Sequence, residues 1–441
     1  MKQAKVFNEI RAAVDFNIPV GPHDDFFTEF SDVRGNYYES QIYSTLFVDP
    51  FTFEYTNTNP LSRILLFVAG HRGSGKSSEI LKWVEKINNP KCYFCVICNV
   101  DKELDLGTVE YVDVLTFQLE KLLDRLNKEN IKVDDSIISV MNRWFTETVK
   151  EINEKSEDKI DLESGMEAKV GVLSLLNIFA KLRASVSSSN QRSEVVRTTM
   201  KNRFSDFSAK FNLFVADVKH ELQQQGKARD VLFIIDGLEK SWSTETRRKI
   251  IIEESNRIQQ IVANTLFTLP IELMKEEPKL IKFGKVKSFP FVKLINSDNS
   301  LNEKAISRFE EFVYKRISPE LFDKPETVHK AIMFGGGSPR ELLRILEYAS
   351  MYSVTGKIDE EALDKGIKDL SSVMARHLSP ADFKLLKELL EMNKKSEPVP
   401  FLDGIQELLE NLIVFEYNDG SHKRVNPVVE ASELYQFYVV R

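Results

Sequence analysis

Eight residues early in the chain have the types and spacing of a loop that binds phosphate. Residues 70–77 read GHRGSGKS, which fits the pattern G-x-x-x-x-G-K-S. Glycines let such a loop curl so that successive backbone N–H groups face an anion, and the helix that follows points its positive end at the same anion. The lysine can reach the β- and γ-phosphates of a nucleotide, and the serine hydroxyl can ligate Mg²⁺. The predicted phosphate contacts are Gly70, His71, Arg72, Gly73, Ser74, Gly75, Lys76, Ser77 and Ser78.

A second segment, residues 231–239 with the sequence VLFIIDGLE, supplies acidic side chains that would complete this site. Its apolar run predicts a buried strand, which would bring Asp236 to its carboxyl end beside the loop. A carboxylate there can hold Mg²⁺ directly or through water. Glu239 could polarise an attacking water molecule, and an acid in a solvated loop is the alternative interpretation. The loop and these two acids together predict phosphoryl-transfer chemistry.

Two further polar side chains are candidates for the same site. Residues 335–346 read GGGSPRELLRIL, in which three glycines precede a helix that carries Arg340 and Arg344. An arginine in the first turn could extend a bidentate fork toward phosphates from a mobile lid, and Arg340 lies nearer the glycines; surface arginines are the alternative. Thr268, toward the end of the candidate strand TLFTLPIEL, could offer its hydroxyl to the γ-phosphate or to the attacking water, or could be a structural strand residue.

A parallel sheet would bring these separated residues together. Short apolar runs bounded by turn residues predict buried strands, and the candidate strands are 62–70, 92–100, 231–236, 263–273 and 285–295. Helical patterns lie between them. Strands that alternate with helices indicate a three-layer α/β fold, whose ligand crevice lies at the carboxyl ends of the strands.

The pattern along the chain changes several times and predicts four segments. They are an N-terminal cap or partner-binding segment at 1–60, a P-loop core at 61–298, a helical lid at 299–375 and a winged-helix-like domain at 376–441. The core contains a mainly helical insertion near 104–226. In the last segment, two helical patterns precede an Asn-Asp-Gly turn at 418–420, which predicts a β-hairpin.

Bulk composition predicts a folded, cytoplasmic protein. With 441 residues, of which 42% are hydrophobic and 29% charged, the chain has room for two or three domains. The first residues lack the apolar stretch of a secretory signal, and no run approaches the roughly 18–20 residues of a transmembrane helix. A net charge of −7 gives the chain as a whole no electrostatic reason to bind nucleic acid or anionic lipid.

Three closely spaced cysteines, Cys92, Cys95 and Cys98, could be taken for a metal-binding cluster. They lie in an apolar, strand-like stretch with no histidine nearby, which favours small buried residues instead. Alternation along a strand would place Cys92 and Cys98 on one face and Cys95 on the other.

The order of GHRGSGKSS, FIIDGLE, GSPRELLR and a winged-helix-like tail resembles the AAA+ and STAND branch of P-loop ATPases, which includes NACHT-type proteins and archaeal origin-recognition ATPases. The resemblance covers residues 60–430, with 104–226 matched only loosely. It implies ATP and Mg²⁺ as ligands, with Asp236 as the metal acid and Glu239 at the second acidic position of the hhhhDGLDE box. Lys240 stands where that box usually has a further acid.

The glycine-proline segment carries part of the same resemblance. GSPRELLR is similar to the G-x-P motif of STAND proteins through Gly337 and Pro339, and to the sensor-2 motif of AAA+ proteins through Arg340. The comparison also suggests Thr268 for the sensor-1 position. An arginine finger is expected in AAA+ assemblies, and no motif chooses among the candidates Arg247, Arg248 and Arg257.

The resemblance implies a Mg²⁺-dependent ATPase that acts as a nucleotide-controlled switch or as an oligomer. Its partners would be further copies of the chain, a protein effector or both, and proteins of this shape often serve prokaryotic antiviral defence. A DNA-binding loader or remodeller is one alternative. A nucleotide-binding scaffold that hydrolyses little or nothing is another.

Charge in the last segment favours a protein partner over DNA. The second helical pattern carries Asp403, Glu407 and Glu410, which would repel phosphates in a DNA groove. Lysines earlier in the segment could still form a non-specific patch; they are Lys384, Lys387, Lys394 and Lys395. Residues 168–192 have an apolar centre with basic residues, and could contact a partner, nucleic acid or a membrane surface, or only pack on the core.

Overall fold

A parallel β-sheet organises the molecule. The computed structural model describes residues 2–59, 62–157, 159–160, 171–188, 190–240, 244–296, 300–418 and 420–441. The strands of the sheet are β1 (Leu65–Gly70), β2 (Tyr93–Asn99), β3 (Asp230–Asp236), β4 (Asn264–Pro270) and β5 (Lys285–Ser288). Their order across the sheet is β2-β3-β4-β1-β5, and every neighbouring pair is parallel. β4 therefore lies between the strand that ends at the loop and the strand that ends at Asp236.

The five predicted strands are confirmed, but the last two end earlier than predicted. β4 ends at Pro270 and β5 ends at Ser288, two residues before Pro290. Proline has no N–H to donate, so it is excluded from the interior of a sheet. A 3₁₀ turn, Ile271–Glu276, follows β4 instead of further strand.

Helices cover both faces of the sheet, as predicted for a three-layer α/β fold. The helices that precede or flank the first strands are α1 (Ile10–Ala13), α2 (Glu39–Thr45), α3 (Lys76–Ile87) and α4 (Val100–Glu103). On one face, Leu66 and Val68 of β1 pack in a core with Ile80 and Trp83 of α3. On the other face, Phe67 packs in a core with helices of the insertion.

The described part of the predicted insertion is mainly helical, as predicted. Its helices are α5 (Tyr111–Lys128), α6 (Asp135–Lys155), α7 (Val172–Ser188), α8 (Asn190–Asn202) and α9 (Phe204–Gln224). The segment predicted at 168–192 falls largely on α7, where Leu175, Phe179 and Leu182 are buried in the core of the insertion and the sheet. Residues 168–170 and residue 189 of this segment lie outside the described residues. None of the described helices has the length and hydropathy needed to cross a membrane.

After the insertion, three short helices and then a larger helical region follow. The short helices are α10 (Thr244–Arg248), α11 (Ser255–Ile258) and α12 (Glu277–Leu280). The region predicted as a lid contains α13 (Glu303–Arg316), α14 (Pro325–Gly335), α15 (Pro339–Tyr352) and α16 (Glu360–Ala375). Ser338 caps α15 by accepting a hydrogen bond from the backbone N–H of Glu341 (3.3 Å).

The C-terminal region combines helices with an antiparallel hairpin. The elements are α17 (Pro380–Lys394), α18 (Ile405–Glu410), β6 (Val414–Tyr417), β7 (His422–Val425), α19 (Pro427–Glu430) and α20 (Glu433–Tyr435). The predicted hairpin is confirmed by the β6–β7 pairing, although Asp419 in its turn lies outside the described residues. The lid helices, this region and the N-terminal residues share one hydrophobic core. The predicted boundary at 375/376 thus remains a prediction.

The cysteines are buried and free of disulfides, and one detail of the prediction is wrong. Cys95 and Cys98 lie on opposite faces of β2, as alternation requires. Cys92 precedes the strand and packs in the same cluster as Cys95, not with Cys98. Its position is set by the turn before β2, where the two-residue period does not yet apply.

Candidate functional site

The phosphate-binding loop joins the end of β1 to the start of α3. Gly73 and Gly75 have φ angles of +82° and +94°, in the left-handed region that glycine adopts without strain. The backbone N–H of Ser74 donates to the carbonyl of His71 (3.2 Å), which closes the turn. Helix α3 begins at Lys76, so its unpaired N–H groups face the space enclosed by the loop.

Lys76 is buried at the base of this loop. Its ammonium group donates hydrogen bonds to the carbonyl oxygens of Gly70 (2.8 Å) and His71 (2.9 Å). Burial lowers the pKa of Lys76, and the nearby carboxylates of Glu239 and Asp236 oppose that change. The chain therefore holds its cation inside the loop and close to both predicted acids.

Strand β3 ends at Asp236, whose side chain lies next to Ser77. The Ser77 side chain hydrogen-bonds to the Asp236 carboxylate, and burial together with the charge of Glu239 raises the pKa of Asp236 to about 6. Its Oδ1 atom is buried and has no hydrogen-bond partner within the described part of the chain. An unsatisfied carboxylate oxygen beside a serine hydroxyl is the donor set that Mg²⁺ uses next to nucleotide phosphates. These two residues therefore fit the metal that the motifs imply.

Glu239 and Thr268 form a buried pair at the same edge of the sheet. The Thr268 hydroxyl donates to Oε2 of Glu239 (2.8 Å) and accepts from the backbone N–H of Gly237 (3.2 Å). Burial alone would raise the pKa of Glu239, but the Lys76 ammonium and the Thr268 hydroxyl stabilise its charge, and the net direction is downward. Thr268 is fully buried, so within the described structure its hydroxyl contacts the acid and not the cavity.

A cavity of about 280 Å³ opens above the loop. Its walls come from six separate segments of the chain. They are Asp15, Phe16, Asn17, Ile18, Pro19 and Val20; Arg72, Gly73, Gly75, Lys76, Ser77 and Ser78; Asp101; Glu239 and Lys240; Phe312 and Arg316; and Pro339, Arg340 and Leu343. The loop, the second acid and the predicted lid arginine therefore face one space.

Arg340 packs directly on the phosphate-binding loop. A Cβ atom at Gly73 would lie 2.5 Å from Cβ and Cδ of Arg340, so only glycine allows this approach. The guanidinium lies over the ring of Phe16 (4.8 Å) and donates to Oδ1 of Asn17 (3.4 Å). Burial and the charge of Arg72 lower the pKa of Arg340 to about 10. Arg344 lies outside the cavity lining, and its nearest ion-pair partner is Glu341 (3.7 Å).

The glycines before α15 are explained by close packing. A Cβ atom at Gly337 would lie 1.7 Å from the carbonyl oxygen of Val292. The carbonyl of Gly336 accepts a hydrogen bond from the Tyr417 hydroxyl (2.6 Å). This turn therefore fixes the start of α15 against the core and the hairpin in the structure described.

The side chain of His71 points away from the cavity. Its Nε2 atom accepts a hydrogen bond from the backbone N–H of Glu416 in β6 (2.8 Å), and its ring stacks on Phe291 (4.7 Å). Burial and the Lys76 charge lower the pKa of His71 to about 3, so the ring is neutral. The loop residue predicted to contact phosphate thus attaches the loop to the hairpin through its side chain.

The candidate arginine fingers all have partners in this structure. Arg247 is buried and pairs with Glu272 (2.8 Å) and with Glu410 of α18. Arg248 pairs with Glu253 and Glu276, and Arg257 lies over the ring of Phe204 (5.3 Å). Because Arg247 is enclosed in this network, it is the least suited of the three to reach a neighbouring subunit.

Several residues at the site carry no recognisable signal in the sequence. Phe16 and Asn17 form one wall of the cavity, and the backbone N–H of Val20 donates to Oγ of Ser78 (3.0 Å). Asp101, after β2, pairs with Lys240 (2.6 Å), so the lysine found where the resemblance expects an acid is matched by an acid from elsewhere. These contacts join segments far apart in the chain, and no local pattern marks them.

Sheet, loop and acids together define the α/β P-loop NTPase fold. Parallel β1, β3 and β4 bring the glycine-rich loop, Asp236 and Thr268 to one edge, and α3 starts from the loop. Within the described residues, no cluster of histidine, cysteine or acidic side chains forms another metal site.

Comparison with known proteins finds similarity among solved structures. No protein-family model matches the chain, and no curated protein is significantly similar to it. Among solved structures, a Walker-type ATPase of Pyrococcus abyssi is similar with a TM-score of 0.38 and 13% sequence identity, over 82% of this chain and 89% of that chain. The fold assignment rests on the sheet and the loop themselves.

Proposed function

We propose that this protein is a Mg²⁺-dependent ATPase whose nucleotide state controls a partner. The observation that carries the proposal is the convergence of Lys76, Ser77 and Glu239 on one cavity, with the unsatisfied oxygen of Asp236 immediately behind Ser77. A cation, a hydroxyl and two acids at the end of a parallel sheet suit a nucleoside triphosphate better than a neutral ligand.

In this mechanism each residue has a distinct task. Lys76 and the loop N–H groups stabilise charge on the β- and γ-phosphates. Ser77 and Asp236 would hold Mg²⁺, which neutralises charge on the phosphate oxygens when bound. Glu239, kept ionised by its neighbours and oriented by Thr268, accepts a hydrogen bond from water that attacks the γ-phosphorus in line. The bond to the bridging oxygen breaks, and ADP and phosphate leave.

Coupling to a partner is proposed from contacts between the core and the C-terminal region. His71 of the loop binds the backbone of β6, and Arg247 of the core binds Glu410 of α18. A change at the phosphates would therefore act directly on the hairpin. We assign the C-terminal region to a winged-helix-like domain and the chain to the AAA+ and STAND branch on the motifs given above. A cytoplasmic location, self-assembly or a protein effector, and a role in antiviral defence belong to the same proposal.

A protein partner is favoured over DNA by the position of α18. Glu410, the last residue of α18, pairs with the buried Arg247, so this end of the acidic helix lies against the core. Carboxylates at that position would also repel a phosphate backbone. Salt-dependent binding to a random duplex checks this point, and tight binding at low salt that weakens with added salt would favour the DNA-binding alternative.

Steady-state phosphate release tests the enzymatic part of the proposal. With ATP and Mg²⁺, the wild type should release phosphate, and Glu239→Gln should be slower by about 10²- to 10³-fold while it still binds ATP. Equal and negligible rates for both proteins would instead support a scaffold that binds nucleotide without hydrolysis.

A further inference from the structure

Arg34, from the N-terminal segment, is buried against the outer side of the phosphate-binding loop, where it is only 3% exposed. It donates hydrogen bonds to the carbonyl oxygens of Ser74 (2.8 Å) and Pro290 (2.6 Å). Its guanidinium also lies over the ring of Phe289 (4.1 Å). The side chain thus fixes the loop to the segment that follows β5.

This arginine has a buried charge without a carboxylate in ion-pair contact among the described residues. Its Nε atom also has no hydrogen-bond partner there. The acid with the strongest electrostatic effect on Arg34 is Glu79, which pairs instead with Lys82 (2.6 Å) and accepts a hydrogen bond from Tyr37 (3.2 Å). Burial lowers the pKa of Arg34, which reports the cost of keeping its charge out of water. Buried charges are usually paired, so this one needs an explanation.

The bond to Ser74 bears directly on phosphate binding. A trans peptide group is planar, so its C=O and its N–H point in opposite directions. When Arg34 holds the carbonyl of Ser74 on the outer side, the N–H of Gly75 is directed to the inner side, where the cavity lies. A cation on the carbonyl also polarises this peptide group and makes its N–H a stronger donor.

We infer that Arg34 is a positioning residue for the β-phosphate, and that the bound polyphosphate supplies counter-charge to an arginine that forms no ion pair within the described part of the chain. The inference rests on the proposed nucleotide-binding function and adds a residue outside the loop to it. Arg34 acts through the Ser74–Gly75 peptide and does not itself contact the ligand.

Calorimetric titration with ADP and AMP tests this role, because only ADP has a β-phosphate. For Arg34→Met, the ratio of ADP affinity to AMP affinity should fall by about 10- to 100-fold, the value of one charge-assisted hydrogen bond, while AMP affinity stays the same. Arg34→Lys, which restores the charge without the fork, should recover part of the ratio. Arg63→Met is the matched control, since Arg63 also donates to a backbone carbonyl, that of Ile261, but at the opposite end of β1.

Thermal unfolding without nucleotide separates positioning from simple structural support. The unfolding midpoint of Arg34→Met should stay within roughly 3 °C of the wild type, because two lost hydrogen bonds are offset by the relieved cost of a buried charge. An unchanged ratio of ADP affinity to AMP affinity in Arg34→Met would overturn the inference. Equal losses of ADP and AMP affinity, together with a large drop in the unfolding midpoint, would show a purely structural role and would overturn it too. If the wild type binds neither ADP nor AMP, the proposed nucleotide-binding function fails together with this inference. If Lys76→Ala abolishes nucleotide binding but Arg34→Met leaves it unchanged, only the inference about Arg34 fails.

Discussion

The phosphate-binding loop has two sides that are built from different parts of the chain. The inner side faces the cavity and consists of the loop itself, Lys76 and the acid Glu239. The outer side is held by Arg34 from the N-terminal segment and by the backbone of Glu416 from the hairpin. The inner side thus contains the groups that we propose to act on a nucleotide, and the outer side contains the contacts that fix the loop in place.

This difference indicates where coupling between nucleotide and partner would arise. If the outer side of the loop faced only solvent, the loop could move on phosphate binding without affecting the rest of the molecule. Here the loop is hydrogen-bonded to Arg34 of the N-terminal segment and to Glu416 of the hairpin. Movement of the loop would therefore change its contacts with both regions. Inner-side substitutions should therefore change affinity or rate, and outer-side substitutions should change how the loop is held.

The largest effect is expected on the inner side, for Lys76→Ala. Loss of a buried cation that is proposed to bind phosphate should weaken ATP binding by about 10²- to 10³-fold, measured by calorimetry. Lys86→Ala is the matched control, since Lys86 lies on the same helix, is partly exposed and pairs with Glu39 (3.0 Å). Similar losses in both variants would mean that the helix, and not the ammonium at the loop, accounts for binding.

On the outer side, His71→Gln should change the response of stability to acid. The pKa of His71 is lowered to about 3 in the folded chain, against an ordinary value of 6.5, so its contribution to stability is present above pH 6.5 and is lost as the pH falls toward 3. Between pH 7 and pH 5 the wild type should therefore lose about 2 kcal/mol more unfolding free energy than the variant, which does not titrate.

Denaturant unfolding at several pH values measures this difference. His377→Gln, at an exposed histidine, controls for the loss of a histidine as such. Amide hydrogen exchange at Glu416 gives a second readout, because the N–H that donates to His71 should exchange faster when the acceptor is altered. Parallel acid profiles for wild type and His71→Gln would contradict a buried, neutral ring between loop and hairpin.

The smallest effect is expected beneath the inner side, for Thr268→Val. Without the Thr268 hydroxyl, the Glu239 carboxylate loses one hydrogen bond. We expect kcat to fall about tenfold with little change in KM. Thr265→Val, on the same strand but at its other end, should leave both constants unchanged. A large rise in KM for Thr268→Val would show instead that Thr268 contacts the nucleotide, as the sensor-1 comparison suggests.

Much of the inner side could be predicted from the sequence, because its residues lie in local patterns. The apolar runs that end in Gly70 and Asp236 predicted two buried strands. The glycines between Gly70 and Lys76 predicted the loop. The strand predictions differ from the structure at element ends, where Pro270 and Pro290 stop the strands and where Cys92 falls before β2 begins.

The outer side could not be predicted, and the reason is physical. Arg34 reaches Ser74 across 40 positions, and the backbone of Glu416 reaches His71 across 345. Such contacts depend on how whole elements pack, and neither residue stands in a motif. An isolated arginine in an aromatic, polar segment has the same sequence signature whether it is exposed or buried.

The proposal on which the others depend is that Lys76 and Asp236 bind the same nucleotide–magnesium complex. Calorimetric titration of a non-hydrolysable ATP analogue, with and without Mg²⁺, tests it most directly. Mg²⁺ should strengthen binding to the wild type, Asp236→Asn should lose that enhancement, and Lys76→Ala should bind weakly in both conditions. Full enhancement by Mg²⁺ in Asp236→Asn, together with undiminished affinity in Lys76→Ala, would contradict the claim.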